Sequence, residues 1–226
     1  IYTLSLHDAL PISISALNNY EEAQKAFRKY IDLSGDDYYC IMLANCLMQT
    51  GKKEEAYHLL KEKQNLAIQG IKDRGMRGDL WSFISDIYRE GGYYADAMRS
   101  VNNALRITPD SPAHLVQKGN IFLAKDDVAR AVTTYISAAA REKDPIAVLV
   151  YAASELMGRQ YMMAALMFLK MVTHETDNPE HVKAYPYIAY CYYVLGLHNR
   201  FAENLEKACQ YTPSVVGELW QNELMG

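Results

Sequence analysis

The sequence has little of several things. Twelve glycines and seven prolines in 226 residues exclude a collagen-like or low-complexity chain. Four scattered cysteines are too few to build a fold of this size on disulfides. Basic residues do not outnumber acidic ones: Lys+Arg 23 against Asp+Glu 27 gives a net charge of −4, without the electrostatic footprint of a nucleic-acid binder. The longest apolar run, Tyr187 to Leu195, falls far short of the ~20 residues a membrane helix needs. Phe (5) and Trp (2) are scarce, whereas tyrosine is abundant at 18. Half of the chain is hydrophobic, and a chain of this length buries roughly 70% of its unfolded surface.

Catalytic and metal-binding patterns are also missing. His174-Glu175 has no second histidine at zincin spacing. His174 and His181 flank Asn178-Pro179 without a nearby cysteine, so no metal site is expected. Cys40 and Cys46 lie about 240° apart on a helix and cannot bond within it. All four cysteines read as buried, reduced core residues. Arg77-Gly78-Asp79 is an integrin-type tripeptide that reads more simply as a loop entering a helix. Without a phosphate loop, nucleophile elbow or metal cluster, the sequence implies no enzyme activity and no cofactor.

The first residues stand apart. Tyr2 to Ile12 read YTLSLHDALPI, which resembles the translation of a common sequencing adapter residue for residue, and Ile1 fits the preceding codon. Residues 1–12 are therefore set aside as non-native, and the fold is read from residue 13. On this reading the chain is a fragment whose native N-terminus lies upstream.

What is present is a repeat. Small alanines recur at Ala23, Ala56, Ala97, Ala131 and Ala165, with gaps of 33, 41, 34 and 34. Turn residues recur at Gly51, Gly92, Asp126, Gln160 and Gly196, with gaps of 41, 34, 34 and 36. The two series shift together, which marks a repeated supersecondary unit with one insertion. Within a unit the apolar spacing is helical: Trp81, Ile84, Ser85 and Tyr88 share one face, Gly91-Gly92 break it, and Tyr94, Ala97, Val101 and Ala104 share the next. Each helix has one apolar face, so stacked neighbours must complete the core. Ser85 and Ala97 are small where paired helices would cross closely.

The run Trp81, Ile84, Ser85, Tyr88, Ala97, Val101, Pro109 resembles the tetratricopeptide repeat, with Trp-x2-Leu-Gly-x2-Tyr in its first helix (helix A) and Ala-x3-Phe before a terminal Pro in its second (helix B). Leu115, Gly119, Phe122, Ala131 and Tyr135 repeat the pattern, as do Leu149, Ala152, Ala153, Leu156 and Ala165. The last unit, with Tyr185, Ile188, Ala189, Tyr192 and Gly196, departs by placing Phe201 at the helix B alanine, which predicts a splayed pair. The resemblance implies an all-α, right-handed α-solenoid of antiparallel helix pairs. It divides residues 13–213 into a half repeat 13–36, repeats at about 37–70, 78–111, 112–145, 146–179 and 182–215, and an insertion at 71–77. Residues 214–226 read as the start of a further helix.

In this family helix A lines the inner groove. The implied groove candidates are Tyr38, Ile41, Asn45 and Met48; then Asp79, Ser82, Asp86, Arg89 and Glu90; then Val116, Asn120 and Leu123; then Val150, Ser154 and Met157; and finally Tyr190 and Tyr193. The basic clamp for a chaperone's C-terminal carboxylate is missing: Asn45 and Asn120 match its asparagine, but Ile41, Phe83, Ala113 and Gln117 stand at its basic positions. No chaperone tail is therefore expected. The third unit's groove positions are acidic and those of the fourth to sixth apolar, which suits a helix or extended segment with apolar anchors and a basic end. A cover of repeats outside this chain would explain the apolar strip equally well.

The leading function is a protein-interaction scaffold that binds a protein or peptide. The alternatives are a helper or lipoprotein subunit of a bacterial secretion or envelope-assembly machine, and a nucleic-acid-binding helical repeat, which the acidic inner face disfavours. Cytoplasmic and periplasmic locations both remain open.

Overall fold

The computed structural model describes residues 19–174 and 179–217, and these are helical throughout apart from short turns. The adapter-like residues 1–12, the start of the half repeat, Asn178 and the chain beyond Gly217 lie outside the described residues. The chain divides into two compact units, 1–125 and 126–226.

The first unit holds α1 (Tyr20–Ser34), α2 (Tyr38–Gln49), α3 (Lys53–Gly70), α4 (Arg74–Gly91), α5 (Tyr94–Ile107) and α6 (Pro112–Ala124). The second holds α7 (Val128–Ala139), α8 (Ile146–Gly158), α9 (Met162–His174), a 3-10 turn (Pro179–Ala184), α10 (Tyr185–Val194) and α11 (His198–Tyr211). The architecture is an all-α array of helix hairpins, with α2–α3, α4–α5, α8–α9 and α10–α11 packed as pairs. Helix starts follow from capping side chains. Asp73 accepts from the Met76 amide at 2.8 Å, and Ser111 accepts from the His114 amide just ahead of Pro112.

The turn series carries the geometry of the repeat. Gly51, Gly92, Asp126, Gln160 and Gly196 all have φ between 58° and 85°. In four hairpins the amide just after the left-handed residue closes back over six residues: Lys52 to Leu47, Tyr93 to Tyr88, Tyr161 to Leu156 and Leu197 to Tyr192, each at 2.8–2.9 Å. This is the Schellman closure, which needs one left-handed residue. Asp126 has a compensating bond, accepting from the Tyr161 hydroxyl at 3.2 Å. Gln160 (φ 65°) has a longer side chain than the residues that tolerate this region. Gln160→Gly is expected to stabilise the second unit by about 1 kcal/mol, read as a shift in urea midpoint at constant m-value.

The alanine series marks the close crossings. Ala23, Ala56, Ala97, Ala131 and Ala165 are fully buried, and the Ser85 hydroxyl donates to the Ala97 carbonyl at 3.0 Å. At the sixth equivalent position stands Phe201, half-buried with its ring 5.6 Å from Tyr193, and α11 fully buries only Ala208.

Two local expectations are corrected. The insertion expected at 71–77 is largely helix: α3 ends at Gly70, and Gly75 and Gly78 lie inside α4, which begins at Arg74. The Asp73 cap starts that helix early enough to absorb most of the extra residues as helix. Arg77-Gly78-Asp79 is therefore helical and is not a loop that could present a tripeptide.

The cysteines also differ from the sequence reading. Cys40, Cys46 and Cys191 are buried, but Cys209 is exposed. Burial pushes the Cys46 thiol up to about 11 and that of Cys191 to about 12. A disulfide-exchange reagent is expected to label Cys209 in the native protein and the other three only after unfolding, because the thiolate is the reacting form. Native labelling that survives Cys209→Ser would contradict this assignment.

Many of the described tyrosines pack in aromatic clusters. Tyr57, Tyr88 and Tyr93 form one cluster, with the Tyr57 and Tyr93 rings stacked at 4.3 Å. Tyr39 packs against Tyr30, Tyr38 and Phe27, and Tyr135 against Phe168 and Tyr151. Gln24 ties α1 to the α2–α3 turn, donating to the Thr50 hydroxyl at 2.7 Å and the Cys46 carbonyl at 3.2 Å, and accepting from Lys52 at 3.0 Å.

Candidate functional site

The two units treat the helix A face differently. In the first unit α2 packs against α4 and α4 against α6. Ile41, Met48, Ser82, Asn120 and Leu123 are buried there and offer no open surface. The direct packing of neighbouring A helices closes over these positions, so they serve the core rather than a groove. Tyr38, Asn45, Asp86, Arg89 and Val116 are half-buried, and Asp79 and Glu90 are exposed.

The acids of this face have intramolecular partners. Arg89 bonds the Asp86 carboxylate through both Nε, at 2.9 Å, and Nη2. Gln49 donates to Glu90 at 2.6 Å. Partial desolvation on its protein-facing side, with Asp86 nearby, raises the carboxyl of the otherwise exposed Glu90 above its ordinary value. Asp79 lies 3.3 Å from Nε2 of the buried His114, whose Nδ1 is 2.8 Å from the Thr108 hydroxyl. A basic end of a partner would have to compete with Arg89 for Asp86.

In the second unit the A helices leave a gap. A cavity of about 430 Å³ is lined by Val150, Ala153, Ser154, Met157 and Gly158 of α8, Gln160 of the following turn, Leu169 of α9, and Tyr187 and Tyr190 of α10. Four sequence-derived candidates, Val150, Ser154, Met157 and Tyr190, meet here. Tyr193 does not, because its ring turns to Phe201. The sequence reading missed Tyr187, one helical turn before Tyr190, and Gln160, which counted only as a turn residue. The 3-10 turn Pro179–Ala184 packs against α8, α9, α10 and α11 and acts as a wedge ahead of α10. The cavity is lined mostly by apolar residues, with Ser154 and Gln160 among its polar ones. Its size and composition suit a side chain of a bound segment.

Among the described residues no group of three or more His, Cys, Asp or Glu side chains is placed to hold a metal ion. Among the same residues no helix is long and apolar enough to cross a membrane.

A family model described as tetratricopeptide repeat matches residues 15–37. No curated protein matches the chain. Among solved structures, BtubC from P. vanneervenii is similar at 14% identity over 94% of this chain and 93% of that one, with a TM-score of 0.56. PilF from Pseudomonas aeruginosa is similar at 15% identity over 96% of each chain, also with a TM-score of 0.56. A Podosopora anserina chain of nearly identical TPR-like repeats aligns at 16% identity, covering 78% of this chain and 94% of that one, with a TM-score of 0.54. At these identities the likeness establishes the fold, which is a helical-repeat solenoid of the tetratricopeptide type.

Proposed function

We propose that the chain is a non-enzymatic protein-interaction scaffold, and that it holds a peptide segment by inserting an apolar side chain between α8 and α10. The observation that carries this reading is the 430 Å³ cavity, which gathers Val150, Ser154, Met157 and Tyr190 on the helix A face. Val150 is 39% exposed, so an apolar wall stands open to an incoming group. The Ser154 hydroxyl and the Gln160 amide can pair with the segment's backbone while its side chain fills the cavity. Gln160 supports the reading in a second way. Three of the five repeat turns use glycine, whereas this one holds a side chain at the cavity in a costly conformation.

Peptides selected from a displayed random library on the native protein are expected to carry a leucine or an aromatic anchor. Ser154→Glu with Met157→Glu should weaken them by at least about tenfold, with helicity unchanged by circular dichroism, because an apolar contact is replaced by unpaired charge. Equal binding by that double variant would overturn the reading. Gln160→Gly separates stability from binding: it should fold more stably and bind more weakly.

A further inference from the structure

The second unit contains another cavity, which the groove reading does not use. It measures about 280 Å³ and is lined by Lys170 of α9, Tyr185 and Tyr192 of α10, and Arg200, Glu203 and Lys207 of α11, among others. Tyr185, Ile188 and Tyr192 lie roughly 160° around α10 from Tyr187 and Tyr190 at 100° per residue. The two cavities therefore open on opposite sides of this helix.

The charge here runs against that of the chain. Lys170, Arg200 and Lys207 face the cavity with Glu203 as the single acid among its lining residues. Glu203 accepts from Lys207 at 3.1 Å. Arg200 Nη1 lies 3.4 Å from the Tyr192 hydroxyl, and the Arg200 and Lys170 cations each stand 5.8 Å from the centre of its ring. Lys207 stands 5.7 Å from the Tyr185 ring. The aromatic faces hold the cations in place without neutralising them. Burial raises the Tyr192 phenol, yet the bonds and charges of Arg200 and Lys170 outweigh it and hold the group below its ordinary value. The cavity is thus a positive patch on a chain whose net charge is −4.

The geometry points to a binding site for a tetrahedral oxyanion, with Lys170, Arg200 and Lys207 as its cationic donors. Three cations against one carboxylate leave a surplus of two positive charges, which matches the dianion of phosphate or a phosphomonoester. Arg200 supplies a planar fork, and the two lysines supply point charges from neighbouring helices. This inference does not rest on the peptide groove.

The test uses inorganic phosphate and sulfate, with acetate as a monoanion control, at constant ionic strength and a pH where phosphate is dianionic. Calorimetry is expected to show saturable binding of both dianions and at least about tenfold weaker binding of acetate. Lys170→Gln with Arg200→Gln, both at exposed positions, should weaken phosphate at least about tenfold. Glu203→Gln should tighten it severalfold by removing the opposing charge, a gain that a purely structural role would not produce. Phosphate should also raise the pH at which the lowest-titrating tyrosine ionises, an effect lost in Tyr192→Phe. An amino-blocked phosphoserine that binds as tightly as phosphate would mark a carried phosphoryl group as the ligand; binding of free phosphate alone would mark the ion. Responses that follow ionic strength alike for all three anions, or that survive the double variant unchanged, would overturn the proposal.

Discussion

Replacing Tyr88 by alanine is expected to destabilise the first unit by about 4 kcal/mol, the range for deleting a fully buried aromatic side chain. Its ring is 0% exposed. It sits edge-on to Tyr57 of α3 at 5.9 Å and to Tyr93 of the following turn at 6.5 Å. Its hydroxyl donates to Gln64 of α3 at 3.3 Å. Deleting the ring therefore leaves a cavity where two successive hairpins meet, and the turn after α4 loses its packing as well. Tyr88→Phe should cost only about 1 kcal/mol, because the partner amide of Gln64 is half-buried and can turn to water. Burial holds the Tyr88 phenol protonated well above its ordinary value of 10.0. The sign follows from linkage. The unfolded chain ionises first, so this contribution is complete below pH 10 and is lost as the pH rises through the folded value. Tyr88→Phe should flatten that alkaline decline. Urea unfolding across pH measures all three quantities, and a Tyr88→Ala cost below about 2 kcal/mol would remove the ring from its place at the centre of this unit.

Ala97→Leu is expected to cost about 3 kcal/mol for the opposite reason. Ala97 and Ser85 are both 0% exposed, and the Ser85 hydroxyl reaches the Ala97 carbonyl at 3.0 Å, so the α4 and α5 backbones have no room for a larger side chain. An isobutyl group must push the helices apart, break that bond and open voids on either side. The last hairpin provides the control. Phe201 occupies the equivalent place, and α11 buries fully only Ala208. Phe201→Ala should therefore cost under about 1.5 kcal/mol in the same urea assay. Equal costs at the two positions would mean that the small residue is not what sets the close approach.

These contrasts show what could be read in advance. The turn and alanine series emerged from spacing alone because local chemistry fixes them. A left-handed residue must close each Schellman turn, and a small residue must fill each close crossing. Where local chemistry had competitors, the reading slipped. Residues 71–77 read as an insertion between repeats, but the Asp73 cap starts α4 at Arg74 and carries four of those seven residues into the helix. Cys209 looked like a core residue by its type, yet it falls on the open side of α11. The cations of the second cavity were invisible for a related reason. Lys170 and Arg200 lie on different helices, and only their juxtaposition makes a site.

The sequence by itself determined the repeat, the helix pairing, the left-handed turns and the buried alanines, because each depends on residues within a few turns of one another. The tertiary structure alone decided which positions on the helix A face stay open. Ile41 and Val150 hold the same place in their repeats and have similar side chains, yet Ile41 is 0% and Val150 39% exposed. The difference lies in the neighbour. α4 packs directly against α2, whereas α10 follows a 3-10 turn wedged among the helices and faces α8 across a cavity. No pattern within one repeat encodes the distance to the next, and here that distance separates a core position from an open one.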